Sequence, residues 1–232
     1  MMESTRIIAI DGPAGSGKSS AARLLARNLG YAYLDTGALY RAVGWKAIQE
    51  GVRPQDAAAV EALCEKISIE LHPSEEELTV RVDGHEVMGE IRSPAVSQAA
   101  SAVAAQPAVR KRLLGIQREA SRQAGRGGGV VVEGRDIGTV VFPEAHIKFF
   151  LEAAPDIRVR RRHEELRERG LSEEMAKTQS EIHLRDWNDS RRELAPLRPA
   201  DDAIRIDSSQ LSLVQVVEFM EEAIRKKAAP RG

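Results

Sequence analysis

Near the start of the chain, Gly12-Pro13-Ala14-Gly15-Ser16-Gly17-Lys18-Ser19 satisfies the pattern G-x-x-x-x-G-K-[ST] at every fixed position. This run constrains the fold more than any other because it works only in one setting, between a strand and a helix. That setting is present. Ile7-Ile8-Ala9-Ile10 is a short apolar run that reads as a strand buried on both faces. From Lys18 onward, Ala21, Leu24, Leu25 and Leu29 form one apolar stripe, and Gly30 suits the position just past a helix end. Glycines let such a loop wrap an anion closely, with successive N–H groups pointing inward and the helix adding its positive end. Gly12, Pro13, Ala14, Gly15, Ser16, Gly17, Lys18, Ser19 and Ser20 are therefore expected to cradle the phosphates of a nucleotide. Lys18 can reach the outer phosphates, and the Ser19 hydroxyl can ligand Mg²⁺.

The segments that follow extend the same architecture. Tyr31–Leu34 reads as a second strand and Ala38–Glu50 as a second helix, closed by Gly51. This strand-loop-helix-strand-helix beginning predicts an α/β fold with a parallel sheet. The rhythm then changes. Asp56 can cap a helix running to Lys66. Ile67, Ile69 and Leu71, then Leu78, Val80 and Val82, alternate as half-buried strands do, and Asp83-Gly84 is a hairpin signal before a return strand over Glu86–Met88. These form a small antiparallel insert, followed by helices over Pro94–Ala105 and Pro107–Ala124. The core resumes with strands at Val130–Val132, Ile147–Leu151 and Ala203–Ile206, giving five in all. Between the last two, one basic helix runs from Pro155 to Arg169, and Ser172 with Glu173 and Glu174 opens another. Ser212 caps a final helix whose stripe is Val216, Val217, Met220 and Ile224.

Composition removes several functions. With 34 basic and 35 acidic residues the formal charge is -1, without the basic excess of a nucleic-acid binder, and aromatics at 4 % supply no base-stacking platform. No apolar run approaches the ~20 residues that span a bilayer, so no membrane partner is expected. A single cysteine, Cys64, in the apolar register of its helix, excludes an internal disulfide. Together with the absence of a signal peptide it predicts a cytoplasmic protein.

Two further clusters fall at the carboxyl ends of strands, where ligands bind in open α/β sheets. Asp35-Thr36-Gly37-Ala38-Leu39-Tyr40-Arg41 offers hydroxyls at Thr36 and Tyr40 and a planar phosphate-binding fork at Arg41. Glu133-Gly134-Arg135-Asp136-Ile137-Gly138-Thr139 follows the third core strand. Asp136 can accept a hydrogen bond from an exocyclic base amine, the contact that separates cytosine from uracil. Glu133 can order waters around Mg²⁺.

Together, the phosphate loop, these two clusters and the adjoining Val140-Val141-Phe142-Pro143 resemble bacterial cytidylate kinase, within the P-loop nucleoside monophosphate kinases. Similarity continues through Gly89-Glu90-Ile91-Arg92, Ser101-Ala102-Val103-Ala104, Val109-Arg110 and Arg185-Asp186, and covers nearly the whole chain. The resemblance implies one domain over residues 1–232. Its core would lie at 5–55, 125–155 and 200–228, with an NMP-binding insert at about 56–124 and a helical lid at about 156–195. It implies phosphorylation of CMP and dCMP by ATP with Mg²⁺, in a monomer. By position, Ser101, Arg110 and Asp136 would read cytosine. Arg41 and Arg135 would hold the CMP phosphate, Asp189 and Arg192 would lie near ribose and phosphate, and Thr36 and Tyr40 would assist. Thr36 stands where some relatives have serine, and Glu133 where some have aspartate, and each change keeps the functional group.

The region between the fourth and fifth strands holds Arg158, Arg160, Arg161, Arg162, Arg167 and Arg169 on one helix and Arg185, Arg191 and Arg192 on the next. As a cluster they read as a lid that closes over ATP and lays guanidinium groups on the transferred phosphoryl, with Arg158, Arg162 and Arg185 the expected contacts. His163 and His183 are expected on exposed helix faces. The rivals are a kinase for UMP, AMP, dTMP or shikimate on the same scaffold, and a non-kinase P-loop NTPase. A switch GTPase should carry N-K-x-D, which the sequence lacks.

Overall fold

The computed structural model describes residues 5–72, 79–171 and 174–228. In chain order, β1 (Arg6–Asp11) leads through the glycine-rich loop into α1 (Lys18–Leu29), then β2 (Ala32–Asp35) and α2 (Gly37–Gln49). The insert comprises α3 (Ala57–Lys66), β3 (Ile69–His72), β4 (Thr79–Val82), β5 (His85–Glu86), α4 (Pro94–Val103) and α5 (Pro107–Ala124). The chain returns through β6 (Gly129–Gly134), β7 (Ile147–Glu152), α6 (Pro155–Glu168), α7 (Met175–Arg191), β8 (Ile204–Asp207) and α8 (Leu213–Ala228).

The continuous apolar runs become one five-stranded sheet in the order β2-β6-β1-β7-β8, with every neighbouring pair parallel. Such runs suit strands covered on both faces. Ile8, Ile10, Val131, Phe149 and Leu151 pack with Leu25 of α1 and Val217 and Met220 of α8. On the opposite face, Ala9, Val130, Val132 and Leu34 pack with Ile137 and Phe142. The insert has its own core, in which Leu39 and Val43 of α2 meet Val60, Val80, Val82, Val96 and Leu113. Helix α4 lies so close on α2 that a Cβ added at Gly44 would sit 2.8 Å from the Ala100 nitrogen.

Two expected caps form: Asp56 Oδ1 accepts from Ala59 N at 3.1 Å and Ser212 Oγ from Gln215 N at 3.3 Å; Ser93 adds one beyond those expected, its Oγ accepting from Val96 N at 3.3 Å. Leu78, Ser172 and Glu173 lie outside the described residues, and α7 begins after Glu174 in an extended conformation. The return strand is shorter than expected. It covers His85–Glu86, after which Val87 donates to Val80 O at 3.1 Å. The Val87 carbonyl then accepts from Glu90 and Ile91, turning the chain into a single 3₁₀ turn over Glu90–Arg92.

Candidate active site

Parallel register brings three strand ends together. Asp35 of β2 and Ile10 of β1 are both partners of Glu133 in β6, and Asp11 pairs with Gly134. Each strand therefore delivers its following loop to the same edge of the sheet. In the first loop Gly15 has φ 74, and a Cβ there would lie 2.5 Å from the Arg158 carbonyl oxygen, so both conformation and space call for glycine. Lys18 is 8 % exposed and folds back over the loop, donating from Nζ to the Pro13 carbonyl at 3.2 Å. Ser19 Oγ donates to Glu133 Oε2 at 2.8 Å, and the Tyr33 hydroxyl donates to Glu133 Oε1. A hydroxyl and a buried carboxylate thus stand side by side, a hard oxygen pair of the kind Mg²⁺ takes. Among the described residues no group of three or more His, Cys, Asp and Glu side chains is placed to hold a metal by itself.

The second loop and α2 carry Thr36, Tyr40 and Arg41. Thr36 is buried, and its hydroxyl donates to the Glu133 carbonyl at 2.8 Å. Arg41 Nη2 donates to Asp35 Oδ2 at 2.5 Å. The third loop carries Arg135, whose Nε donates to Asp189 Oδ2 of α7 at 2.9 Å, and Asp136, which accepts from Arg110 Nη1 of α5 at 3.1 Å. The same Arg110 nitrogen donates to the Tyr40 hydroxyl at 3.1 Å. Arg192 stands 3.8 Å from both Asp136 and Asp189.

These groups surround one cavity. Lys18 and Ser19 line one part of it. Thr36, Tyr40, Arg41, Ser101, Glu133, Arg135, Asp136, Asp189 and Arg192 line the rest, and Arg162 and Arg185 reach it from α6 and α7. Arg23, Arg92 and Arg169 join them, so nine cationic side chains face five carboxylates, those of Asp35, Glu133, Asp136, Glu165 and Asp189. The lining is basic although the chain's formal net charge is -1. Several donors are buried with no hydrogen-bond partner among the described residues: Arg41 Nε, Arg185 Nε, Arg192 Nη2 and the Ser101 hydroxyl. Buried donors without acceptors are costly, so this cavity is built for an anion rich in oxygens. A second cavity continues on the far side of the loop, lined by Gly15 to Ala21, Arg161, Ser208, Leu211 and Val216. Arg161 donates to the Ser208 hydroxyl at 2.9 Å and to its carbonyl at 2.8 Å, and the Ser208 hydroxyl donates to the Ser16 carbonyl at 3.0 Å.

Crowding shows in the ionisation of these groups. Burial, reinforced by Arg135, pulls the Lys18 ammonium down to about 7, and burial with Arg135 pulls Arg185 down to about 10. Burial alone would raise the Asp35 and Asp189 carboxyls, yet Arg41 holds the first below the usual range and Arg135 the second. For Glu133 and Asp136 burial wins, and both are raised.

Not every expected site residue faces the cavities. The Arg158 guanidinium donates to the Ala153 and Ala14 carbonyls and to Asp186. It lines neither cavity and instead ties α6 to the phosphate loop, because burial at 7 % exposure left it only carbonyls and one carboxylate as partners. Arg110 stands behind Asp136 and Tyr40 rather than in the lining, and Gly12 and Pro13 supply backbone shape. His163 is half-buried rather than exposed, with Nδ1 buried, whereas His183 is exposed. Sequence reasoning passed over Arg23, Ser97 and the Tyr33–Glu133 contact. Ser97 carries the one available signal, lying a helical turn before Ser101 on the same face of α4.

Comparison with known proteins gives a consistent result. A family model described as cytidylate kinase matches residues 8–226. A cytidylate kinase of Pelotomaculum thermopropionicum is 50 % identical over 220 residues, covering 94 % of this chain and 96 % of the relative. One of Exiguobacterium sp. is 45 % identical over 228 residues, covering 98 % and 100 %. Among solved structures, an uncharacterized protein from Eubacterium ventriosum matches with a TM-score of 0.53 at 13 % identity, covering 96 % of this chain and 99 % of that one. That likeness shows a shared fold alone.

Proposed function

This chain belongs to the cytidylate kinase family, and we propose from that premise that it transfers the γ-phosphoryl group of ATP to CMP or dCMP, giving ADP and CDP or dCDP. The observation that carries the reading is the single cavity in which Lys18 and Ser19 face Arg41, Arg135 and Asp136. Such a lining suits two anionic groups, one on backbone amides and the other on guanidinium forks.

The reaction needs no general base, because the acceptor phosphate is already anionic near neutral pH. An oxygen of that phosphate attacks the γ-phosphorus in line, and the bond to the β-phosphate oxygen breaks with its electrons leaving on ADP. Arg41 and Arg135 orient the attacking phosphate, and Lys18, Arg162 and Arg185 stabilise charge on the transferred group. Asp136, held by Arg110, accepts from the cytosine amine, and Ser101 offers its hydroxyl to the same ring. Asp189 and Arg192 would lie near the ribose and phosphate. Ser19 and Glu133 would hold Mg²⁺, Glu133 through water, and the ion would supply positive charge to offset that of the phosphates. Residues 156–195 act as the lid, and 56–124 as the acceptor-binding insert. Excluding water matters, since an open site would hydrolyse ATP.

The test is a panel of CMP, dCMP, UMP, AMP, dTMP and shikimate, each with ATP and Mg²⁺, read as ADP formed and as phosphorylated product. CMP and dCMP should turn over fastest by at least about tenfold, the discrimination one misplaced hydrogen bond supplies. Faster turnover of another acceptor, or nucleic-acid-stimulated ATP hydrolysis without CDP, would overturn the reading.

A further inference from the structure

We propose that Asp11 is a positioning residue for the acceptor loop, its carboxylate gripping the backbone of Ile137 and Gly138 so that Arg135 and Asp136 are aimed into the cavity. The proposal rests on the acceptor role given to those two side chains above. Asp11 is 4 % exposed and is the last residue of β1, immediately before Gly12 of the phosphate loop. Its Oδ1 accepts from Ile137 N at 2.8 Å, and its Oδ2 accepts from Gly138 N at 2.8 Å. One carboxylate therefore holds two consecutive amides of a segment far along the chain.

The start of the loop is fixed where Gly134 pairs with Asp11 in the β6–β1 ladder. Asp136 then has φ -144 and ψ 26, outside helix and strand, before a single π-helical turn over Ile137–Val141. Within the turn, Val140 N and Val141 N bond to the Asp136 carbonyl, and Phe142 N bonds to that of Ile137. Those bonds shape the turn without fixing it to the sheet. Further along, the turn is also held by the packing of Ile137 and Phe142 on the sheet and by Arg118, which donates to the Val141 and Val140 carbonyls at 2.9 and 3.3 Å. The backbone of Arg135 and Asp136 thus runs from the ladder at Gly134 to the Asp11 grip at Ile137, while their side chains meet Asp189 and Arg110. The fit is close: a Cβ at Gly138 would lie 3.0 Å from Lys148 Cδ and 3.5 Å from Asp11 Oδ2.

An apolar residue at this place would avoid a desolvation cost that is plain in the carboxyl itself. Burial pushes Asp11 up to about 6 even though both amides pull the other way. Buried carboxylates bonded by amides hold geometry well, and removing the acceptor leaves two amides stranded. Because Asp11 adjoins Gly12, the grip also sets the distance between the donor loop and the acceptor loop. A 1 Å error there matters, since in-line transfer depends on alignment.

The test is Asp11→Asn, which keeps size but offers one acceptor oxygen and turns an NH₂ toward the remaining amide. CMP and ATP affinities are measured separately by calorimetry in wild type and variant, with steady-state KM and kcat for each substrate. CMP affinity should fall by about tenfold or more, the scale of one lost charged hydrogen bond. ATP affinity should stay within about twofold. Unchanged CMP affinity with only a lowered melting temperature, or equal loss for both nucleotides, would overturn the proposal. A wild-type protein that fails to bind CMP would instead sink the functional reading. Amide hydrogen exchange of wild type provides a second measurement that does not need the variant to fold. Ile137 and Gly138 should be strongly protected, and exchange at the rate of free surface amides would refute the grip.

Discussion

Lys18 carries the most direct consequence at the scale of single residues. With its ammonium pulled down to about 7 by burial and Arg135, it is expected to be largely uncharged at about pH 8 before a nucleotide arrives. Phosphates beside it favour the charged form, so binding must raise its pKa. A group whose pKa rises on binding takes up a proton, and at about pH 8 ATP binding should take up close to one. Calorimetry in buffers of different ionisation enthalpy reads this, and Lys18→Met should abolish the uptake. No uptake in wild type would show that the lysine is already charged in the free protein. Residue identities of this kind were legible in the sequence where the chemistry demands a local pattern. The phosphate loop, Arg41 and the Arg135–Asp136 pair announce themselves within a few positions. Asp11 and Tyr33 do not, because their partners Gly138 and Glu133 lie 127 and 100 residues away and nothing local marks the contact.

Helices and strands are legible in the sequence where capping or periodicity is strong, as at Asp56 and Ser212. The return strand near Met88 was overextended because alternation continued after the ladder had stopped, and the Val87 carbonyl had turned to the next 3₁₀ turn. Arginine-rich α6 misled in another way. Arg158 and Arg162 are both expected on the transferred phosphoryl, yet Arg158 braces the Ala14 carbonyl while Arg162 reaches the cavity, and Arg161 braces Ser208. Which face each arginine takes depends on neighbours from other elements, which composition does not report. The close contact of α2 with α4 also hinges on one residue. Helix α2 supplies Tyr40 and Arg41 to the cavity and α4 supplies Ser101, so Gly44 sets the spacing between them. In Gly44→Ala the new methyl would meet backbone atoms of Ala99 and Ala100 at 2.8–3.1 Å. Overpacking costs about 1–3 kcal/mol and the gain in helix propensity returns about 1 kcal/mol. We expect a small loss of stability on denaturant unfolding, with a severalfold rise in KM for CMP and an unchanged KM for ATP. An unchanged KM for CMP would mean that α4 yields without moving Ser101.

For the molecule as a whole, the strand order β2-β6-β1-β7-β8 has a consequence for the growing polypeptide. The two strands made first are not neighbours. Between them sits β6, and β1 waits for β6 on one side and β7 on the other, segments made more than a hundred residues later. On the ribosome the glycine-rich loop therefore emerges early as a sequence but has nothing to be pinned to. Nascent chains arrested before residue 134 has left the exit tunnel should bind no nucleotide and be cut readily by protease. Protection should arise abruptly once β6 and β7 are both free to dock. Until then the emerging half presents two unpaired apolar strands, so this is the interval in which a holdase has most to grip.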